Sequence, residues 1–436
     1  MRISQKNKYY VFVFAIALMM TVLIGCQSTP KPLVSEKKPV AVIAKQLSFQ
    51  HYFSGSISGG IDQMVQKMNE QSDQFKITAV PLDHEAFKVR IKEAIDSVDA
   101  ADLYSYWAGA KTQNLSASLE PLNDVWDAQK LDDKFPKSIM ESAVTYDGKK
   151  LLLPITQHYV GIVINQKIFD ENGLKPPKDW TAYLKTCETL KSKGIIPIAL
   201  GSKSKWPAQF WFDYILLRTS GYDYRQTLMA GKASYTDPQV MKSFELWKIL
   251  LDREYINKDA NALEWDTGAA EMVYSGKAAM TLMGTWVIGY YEDSAHQWKL
   301  GTDYNIIDFP VMDSSISSCA LGPIDGIVIP KASINKEQAK SIIVNFASVE
   351  NQKVMSHDSG AFAPSLEVED AFYSPERSAL LKRIRQMERW AFNYDLATPP
   401  ERAEIGLDAF QDFIQYPQEY KSILEVVQRK IEKLGH

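Results

Sequence analysis

Apolar and polar residues along this chain switch between two periods, and each switch marks an element. Residues 46–53 (QLSFQHYF) read as a strand, and the Gly/Ser-rich stretch 54–60 reads as a turn. Ile61, Met64, Val65 and Met68 then recur at i, i+3, i+4 and i+7, which is one face of a helix. Residues 75–80 predict the next strand, and Phe87, Ile91, Ala94, Ile95 and Val98 the next helix. Residues 101–107 (ADLYSYW) predict the strand after it. Strand, helix, strand, helix, strand predicts a parallel sheet with right-handed crossovers.

The long run 151–165 (LLLPITQHYVGIVIN) is extended and broken by Pro154, a pattern that suits a passage between two domains. A helix starts near Asp179 and buries Trp180, Tyr183, Leu184, Cys187 and Leu190; Gly194 ends it, and 195–200 is a strand. A loop over 201–207 carries Trp206 ahead of an apolar helix over 208–217. Thr236-Asp237-Pro238 starts another helix, with Val240, Phe244, Trp247 and Leu251 on its apolar stripe. Three short apolar runs follow at 278–283, 304–311 and 326–329. They are broken by Gly284-Thr285-Trp286 and by Pro323-Ile324-Asp325-Gly326. Beyond Pro330 come an amphipathic helix over 335–348, a loop over 360–364, and helices to the end broken at Thr398-Pro399-Pro400. Ligands of open α/β sheets bind at strand ends, so an indole and a carboxylate stand where a ligand would sit.

Arg2, Lys6 and Lys8 precede an apolar run over 9–24 that ends Leu23-Ile24-Gly25-Cys26. A positive start, an apolar run and small residues at the exit describe a secretory signal peptide. The run falls short of the roughly 20 residues of a membrane-spanning helix. Leu-Ile-Gly-Cys resembles the lipobox of bacterial lipoproteins, which implies removal of residues 1–25 and lipidation of Cys26. The protein is then expected at the extracellular face of the cell membrane, held by that lipid. Residues 26–45, with Ser, Pro and Lys but few apolar side chains, read as a flexible tether.

The chain has 436 residues and net charge −4, so it holds two to three domains of about 150 residues each and has no basic excess for nucleic acid. With Cys26 assigned to lipid, Cys187 and Cys319 remain. They could pair in an oxidising compartment, but the buried mid-helix place of Cys187 favours two separate thiols. No Cys/His cluster suggests a metal, and no cofactor motif is present: the first turn lacks the Gly-Lys-Ser/Thr of a phosphate loop.

KPPKDWTAYLKTCETLKSKGIIPIAL, WPAQFWFDYILLRTSG, AGKASYTDPQVMKSFELWKILLD, GKAAMTLMGTWVIG and ALGPIDGIVIPK resemble segments of family-1 extracellular solute-binding proteins, the carbohydrate receptors of bacterial ABC importers. The resemblance runs in order from about Gln46 to about Gln352. It implies an α/β, two-lobed periplasmic-binding-protein-like (type II) fold, each lobe a mixed or parallel sheet flanked by helices. A hinge of segments crossing at 153–159, 307–311 and 360–369 is expected to join the lobes. The N-terminal lobe would combine 46–154 with 311–365, and the C-terminal lobe 155–310 with 366–436. The implied function is reversible capture of a carbohydrate, an oligosaccharide by expectation. A monomer would deliver it unchanged to the permease subunits of an ABC importer, without cofactor or catalysis.

A sugar presents an apolar C–H face and a rim of hydroxyls, so its receptor needs aromatic plates and polar side chains. Trp286 is the leading plate, since it ends a buried strand beside Gly284, and family members commonly carry a stacking Trp there. Trp107 and Trp206 follow strands in the same way, with core packing the alternative for each. Trp265 and Asp266 face the cleft or cap a helix. Asp325 accepts from ligand hydroxyls or forms an Asp-Gly turn. Tyr159 touches ligand at the first crossing or belongs to the hinge, and Ser54 is a donor from the first loop. His51 and His84 read as structural; Trp126, Trp180 and Trp247 read as core. Two other functions stay open. A surface-anchored glycosidase would need two carboxylates roughly 5–10 Å apart, for which Asp266 and Asp325 are candidates. A receptor presenting its ligand to a sensor kinase is the other. An anionic ligand would need a cation in the cleft, and Lys111, Lys203 and Lys205 lie near the candidate loops.

Overall fold

A computed structural model of the chain describes residues 44–55 and 58–435. The signal peptide, Cys26 and the tether up to residue 43 lie outside the described residues; Lys45, placed at the tether's end by the sequence, already opens the first strand.

The strands are β1 (Lys45–His51), β2 (Phe75–Pro81), β3 (Leu103–Trp107), β4 (Thr145–Tyr146), β5 (Lys149–Lys150), β6 (Leu153–Gln157) and β7 (Val160–Asn165). They continue with β8 (Ile196–Ala199), β9 (Ala278–Gly284), β10 (Tyr304–Ile307), β11 (Cys319–Leu321), β12 (Ile324–Val328) and β13 (Arg389–Ala391). One sheet has the order β2-β1-β3-β12-β6 and another the order β10-β7-β9-β8. β1 runs parallel to β2 and β3, as the opening βαβαβ pattern requires, while β12 enters antiparallel between β3 and β6. In the second sheet β8 is parallel to β9, and β7 is antiparallel to β9 and β10. Each sheet is therefore mixed.

The extended run 151–165 supplies one strand to each sheet, β6 and then β7, with His158 and Tyr159 between them. Each sheet also has its own core. Leu47, Phe49, Ile91, Leu103, Trp126 and Phe346 belong to the first. Ile162, Tyr183, Trp211, Trp247, Leu282 and Phe410 belong to the second. Between the sheets three segments lie side by side. Gln157 and Phe362 exchange backbone hydrogen bonds of 2.8 Å, and the N–H of His158 donates to the carbonyl of Pro323 at 3.0 Å.

Local chemistry sets the helix starts that matter for the site. Asp83 caps His84–Ala94 by accepting from the N–H groups of Glu85 and Ala86, and Asp179 caps Trp180–Ser192 through Ala182. Three details differ from the periodicity. The helix over 84–94 stops before Val98, whose side chain is 98% exposed in the following turn. Trp206 is not a loop residue; it opens the helix Trp206–Met229, with Pro207 in the first turn and a backbone break at Gly221. β13 lies in a stretch read as helical and pairs in parallel with β11. Cys187 and Cys319 are buried and unpaired. Among the described residues no helix is long and apolar enough to cross a membrane.

Candidate functional site

The register of the first sheet gathers a site at one edge. β12 places Asp325 opposite Trp107 on one side and Thr156 on the other, where β3 and β6 end. Tyr52 follows β1, and His158 follows β6, at the same edge. Asp325, Trp107, Tyr52 and His158 line a cavity of about 270 Å³ whose opposite wall carries Trp206, Trp265 and Trp286, packed against the second core.

Asp325 is buried, and both its oxygens are used: Tyr52 donates to Oδ1 at 2.6 Å and Thr156 to Oδ2 at 2.7 Å. Burial pushes its carboxyl up to about 6, against the pull of those two hydrogen bonds and of the Lys111 charge. An unfolded Asp titrates near 3.9, so between about pH 4 and 6 the folded chain keeps a proton that the unfolded chain has released. The stability tied to that proton is complete below about pH 4 and is lost as pH rises through about 6. Ligand-free Asp325→Asn is therefore expected to gain on the parent between pH 4.5 and 7.5, by roughly 1–3 kcal/mol. Urea midpoints at the two pH values check this, and equal differences at both would refute it. Taking the difference between the two proteins cancels His51, which burial lowers to about 4; His158, 3.8 Å from Asp325 Oδ2 through its Nε2, is lowered by burial to about 3 and in the folded chain titrates below this window.

Trp107 lies in the wall but is only 6% exposed. Tyr52 stacks on it with centroids 4.2 Å apart and planes 12° apart, and the Lys111 ammonium stands 4.5 Å from its ring centroid. The second wall is different. Trp206, Trp265 and Trp286 are half-buried, with centroids 5.8 Å (Trp206–Trp286), 6.3 Å (Trp206–Trp265) and 6.5 Å (Trp265–Trp286) apart and planes inclined at 67°, 54° and 89°. They form a corner of crossed indoles, the edge-to-face packing aromatic rings prefer. Gly284 is what lets Trp286 fold back at the end of β9, since a Cβ there would collide with the indole ring. His158 meets Trp286 edge-on at 5.5 Å, its Nδ1 3.1 Å from the Thr285 hydroxyl.

Of the other residues read from the sequence, Asp266 and Ser54 line the cavity. Tyr159 does not. It is fully buried and its hydroxyl donates to Asp308 at 3.0 Å, so it belongs to the packing beside the crossing segments. His84, read as structural, stands in the cavity wall, edge-on to Trp107 at 5.2 Å. Tyr52, His158, Gln209, Asn393 and Asp395 were missed. Tyr52 and His158 directly follow strands, so the strand-end rule reaches them. Asn393 and Asp395 come from a stretch with no such signal. Lys111 and Asp395 form an ion pair of 2.8 Å, and Gln209 holds the Asp395 N–H at 2.8 Å. Among the described residues no cluster of His, Cys, Asp or Glu is arranged to hold a metal.

The model of the bacterial extracellular solute-binding proteins matches residues 56–353, most of the chain. The chain belongs to that family. An uncharacterized ABC transporter extracellular-binding protein of Pyrococcus horikoshii is 27% identical to this solute-binding protein over 388 residues, 87% of this chain and 84% of the relative. A xylose/arabinose-binding protein of Haloferax volcanii is 26% identical over 242 residues, 54% of this chain and 50% of the other. Among solved structures, the solute receptor AcbH, described as exclusive for β-D-galactopyranose, superposes with TM-score 0.83 at 23% identity, covering 90% of this chain and all (100%) of that one. A chitin oligosaccharide binding protein superposes with TM-score 0.79 at 22% identity, covering 89% and 98%. At those identities the likeness is one of fold, and the fold is two-lobed.

Proposed function

We propose that this solute-binding protein captures a carbohydrate in the cavity between its lobes and hands it unchanged to the permease of an ABC importer. The observation that carries this reading is the pairing of the two walls: a corner of half-buried indoles faces a set of buried polar groups. Indole faces suit the C–H face of a sugar, and carboxylate, amide and ammonium groups suit its hydroxyl rim. A cavity of about 270 Å³ lies just under the roughly 300–1,000 Å³ of drug-sized ligand sites, which favours a mono- or disaccharide in this conformation.

The lobes, in this reading, divide as their cores do. Cys319–Leu321 pack with the second core and Ile324–Val328 with the first, so we set the second crossing at 322–323 rather than 307–311. Val311 supports this by bridging to Asp179 within the second core's surroundings. The first and third crossings are the paired segments around Gln157 and Phe362. The N-terminal pattern supports export, cleavage before Cys26 and a lipid anchor at the outer face of the membrane, with the monomer reaching its permease on the tether. A glycosidase is disfavoured because both oxygens of Asp325 are held by Tyr52 and Thr156.

Isothermal titration against galactose, glucose, xylose, arabinose, maltose and chitin oligosaccharides tests the reading. Heat that saturates at one site per chain, with the sugar recovered intact, is expected for at least one of them. Silence across the panel, or turnover of the bound sugar, would overturn it.

A further inference from the structure

The charges around the cavity say something further about which sugars it admits, an inference that rests on the carbohydrate reading above. Among the described residues its wall holds the carboxylates of Asp83, Asp266, Asp325 and Asp395 but a single ammonium, that of Lys111. Both wall histidines are held below their ordinary titration range, burial foremost, and add no positive charge at neutral pH. Lys111 is itself committed. Its Nζ lies 2.8 Å from Asp395 Oδ2, and the two side chains are only 15% and 11% exposed. Burial would raise the Asp395 carboxyl, but the charges of Lys111 and Lys88 and the bonds to Lys111 and Gln209 hold it below the usual range, so the pair is ionised.

A neutral sugar loses nothing in such a cavity, because hydroxyls donate to carboxylates. A uronic acid of the same shape brings a carboxylate among three others and finds the one cation already neutralised. At an effective dielectric constant of about 20, a single like charge some 8 Å away costs about 2 kcal/mol, or roughly thirtyfold in affinity.

We propose that the Lys111–Asp395 ion pair is a specificity device: Asp395 cancels the cavity's ammonium and so restricts the site to uncharged sugars, excluding their uronic acids. Lys111 belongs to a helix that follows β3 at the first sheet, and Asp395 to the short helix Tyr394–Ala397, packed on the helix Trp206–Met229 at the second. The rule is therefore written across the two walls.

The test is titration of the wild-type protein with D-galactose against D-galacturonate and D-glucose against D-glucuronate, repeated with Asp395→Asn and with Lys111→Gln/Asp395→Asn. The wild-type protein is expected to bind the neutral member of a pair at least about tenfold more tightly than the acid. Asp395→Asn frees the ammonium while its N–H keeps its bond to Gln209, and it should gain at least about tenfold for the uronate; the double variant should lose that gain. Wild-type binding of the uronate as tight as that of the neutral sugar overturns the inference, as does a folded Asp395→Asn with no gain. Should Asp395→Asn not fold, the wild-type comparison decides alone. Failure of every sugar, including the wider panel above, removes the carbohydrate reading and this inference together, and so is distinguishable from failure of the charge rule.

Discussion

Trp286→Ala is expected to weaken sugar binding by about 2–4 kcal/mol, roughly 30- to 1,000-fold in Kd, the range of a central aromatic anchor at a binding site. The argument is one of geometry. Trp107 cannot offer a face, since Tyr52 already stacks on it and little of it reaches the cavity. The plate then falls to the crossed indoles, and Trp286 touches both of the others as well as His158. Removing it takes away a stacking surface and the support of its neighbours at once. Trp286→Phe keeps a flat ring and should recover much of the affinity. Trp247→Ala is the control: that indole is fully buried in the second core, so its loss should cost about 3–5 kcal/mol of stability with the Kd of the folded protein unchanged. Titration of the three variants, with thermal unfolding alongside, separates a lost plate from a loosened fold. An unchanged Kd in folded Trp286→Ala would remove the indole corner from the site.

What was legible in the sequence follows from range. The opening sheet was readable because β1, β2 and β3 alternate with helices of clean period, and Trp286 because Gly284 two residues earlier announces a close approach. Tyr52 was hidden by a boundary. The strand read over 46–53 absorbed it, whereas β1 ends at His51 and leaves Tyr52 free to stack on Trp107. That stacking joins the residue after β1 to the last residue of β3, and it is also why Trp107, read as a plate, became part of the wall. β13 has three residues and shows no period. Asn393 and Asp395 were out of reach for a different reason: the one-turn helix Tyr394–Ala397, which follows Asn393, is seated in the cavity wall by residues distant in sequence.

Beside Gln209 and Lys111, an ion pair with no exposure at all holds that segment. Arg225 donates from Nε at 2.9 Å and Nη2 at 2.6 Å to Asp213 Oδ1, and both side chains are 0% exposed. The other carboxylate oxygen accepts from the N–H of Tyr394 at 2.8 Å, and Arg225 Nη2 also donates to the carbonyl of Phe392 at 2.6 Å. The pair thus grips the backbone on both sides of Asn393. Arg225→Met is expected to cost about 3–5 kcal/mol, because it strands a buried carboxylate rather than merely deleting a contact. Burial already lifts Asp213 to about 6 against the opposing charge of Arg225, so without that charge its titration rises further. A raised carboxyl is stabilising when protonated, so as pH falls from 7.5 to 5 the variant should gain more than the parent does from its own carboxyls near 6, and so recover part of its loss. Asp213→Asn/Arg225→Met, with no charge left to strand, should be less damaged at pH 7.5 than Arg225→Met alone. Ligand affinity should fall in both, since the segment that carries Asn393 and Asp395 into the cavity wall has lost its buried anchor. Thermal unfolding at the two pH values together with titration reads these effects, and a single variant whose pH dependence matches the parent's and whose stability lies within about 1 kcal/mol of it would show that the segment is held by something else.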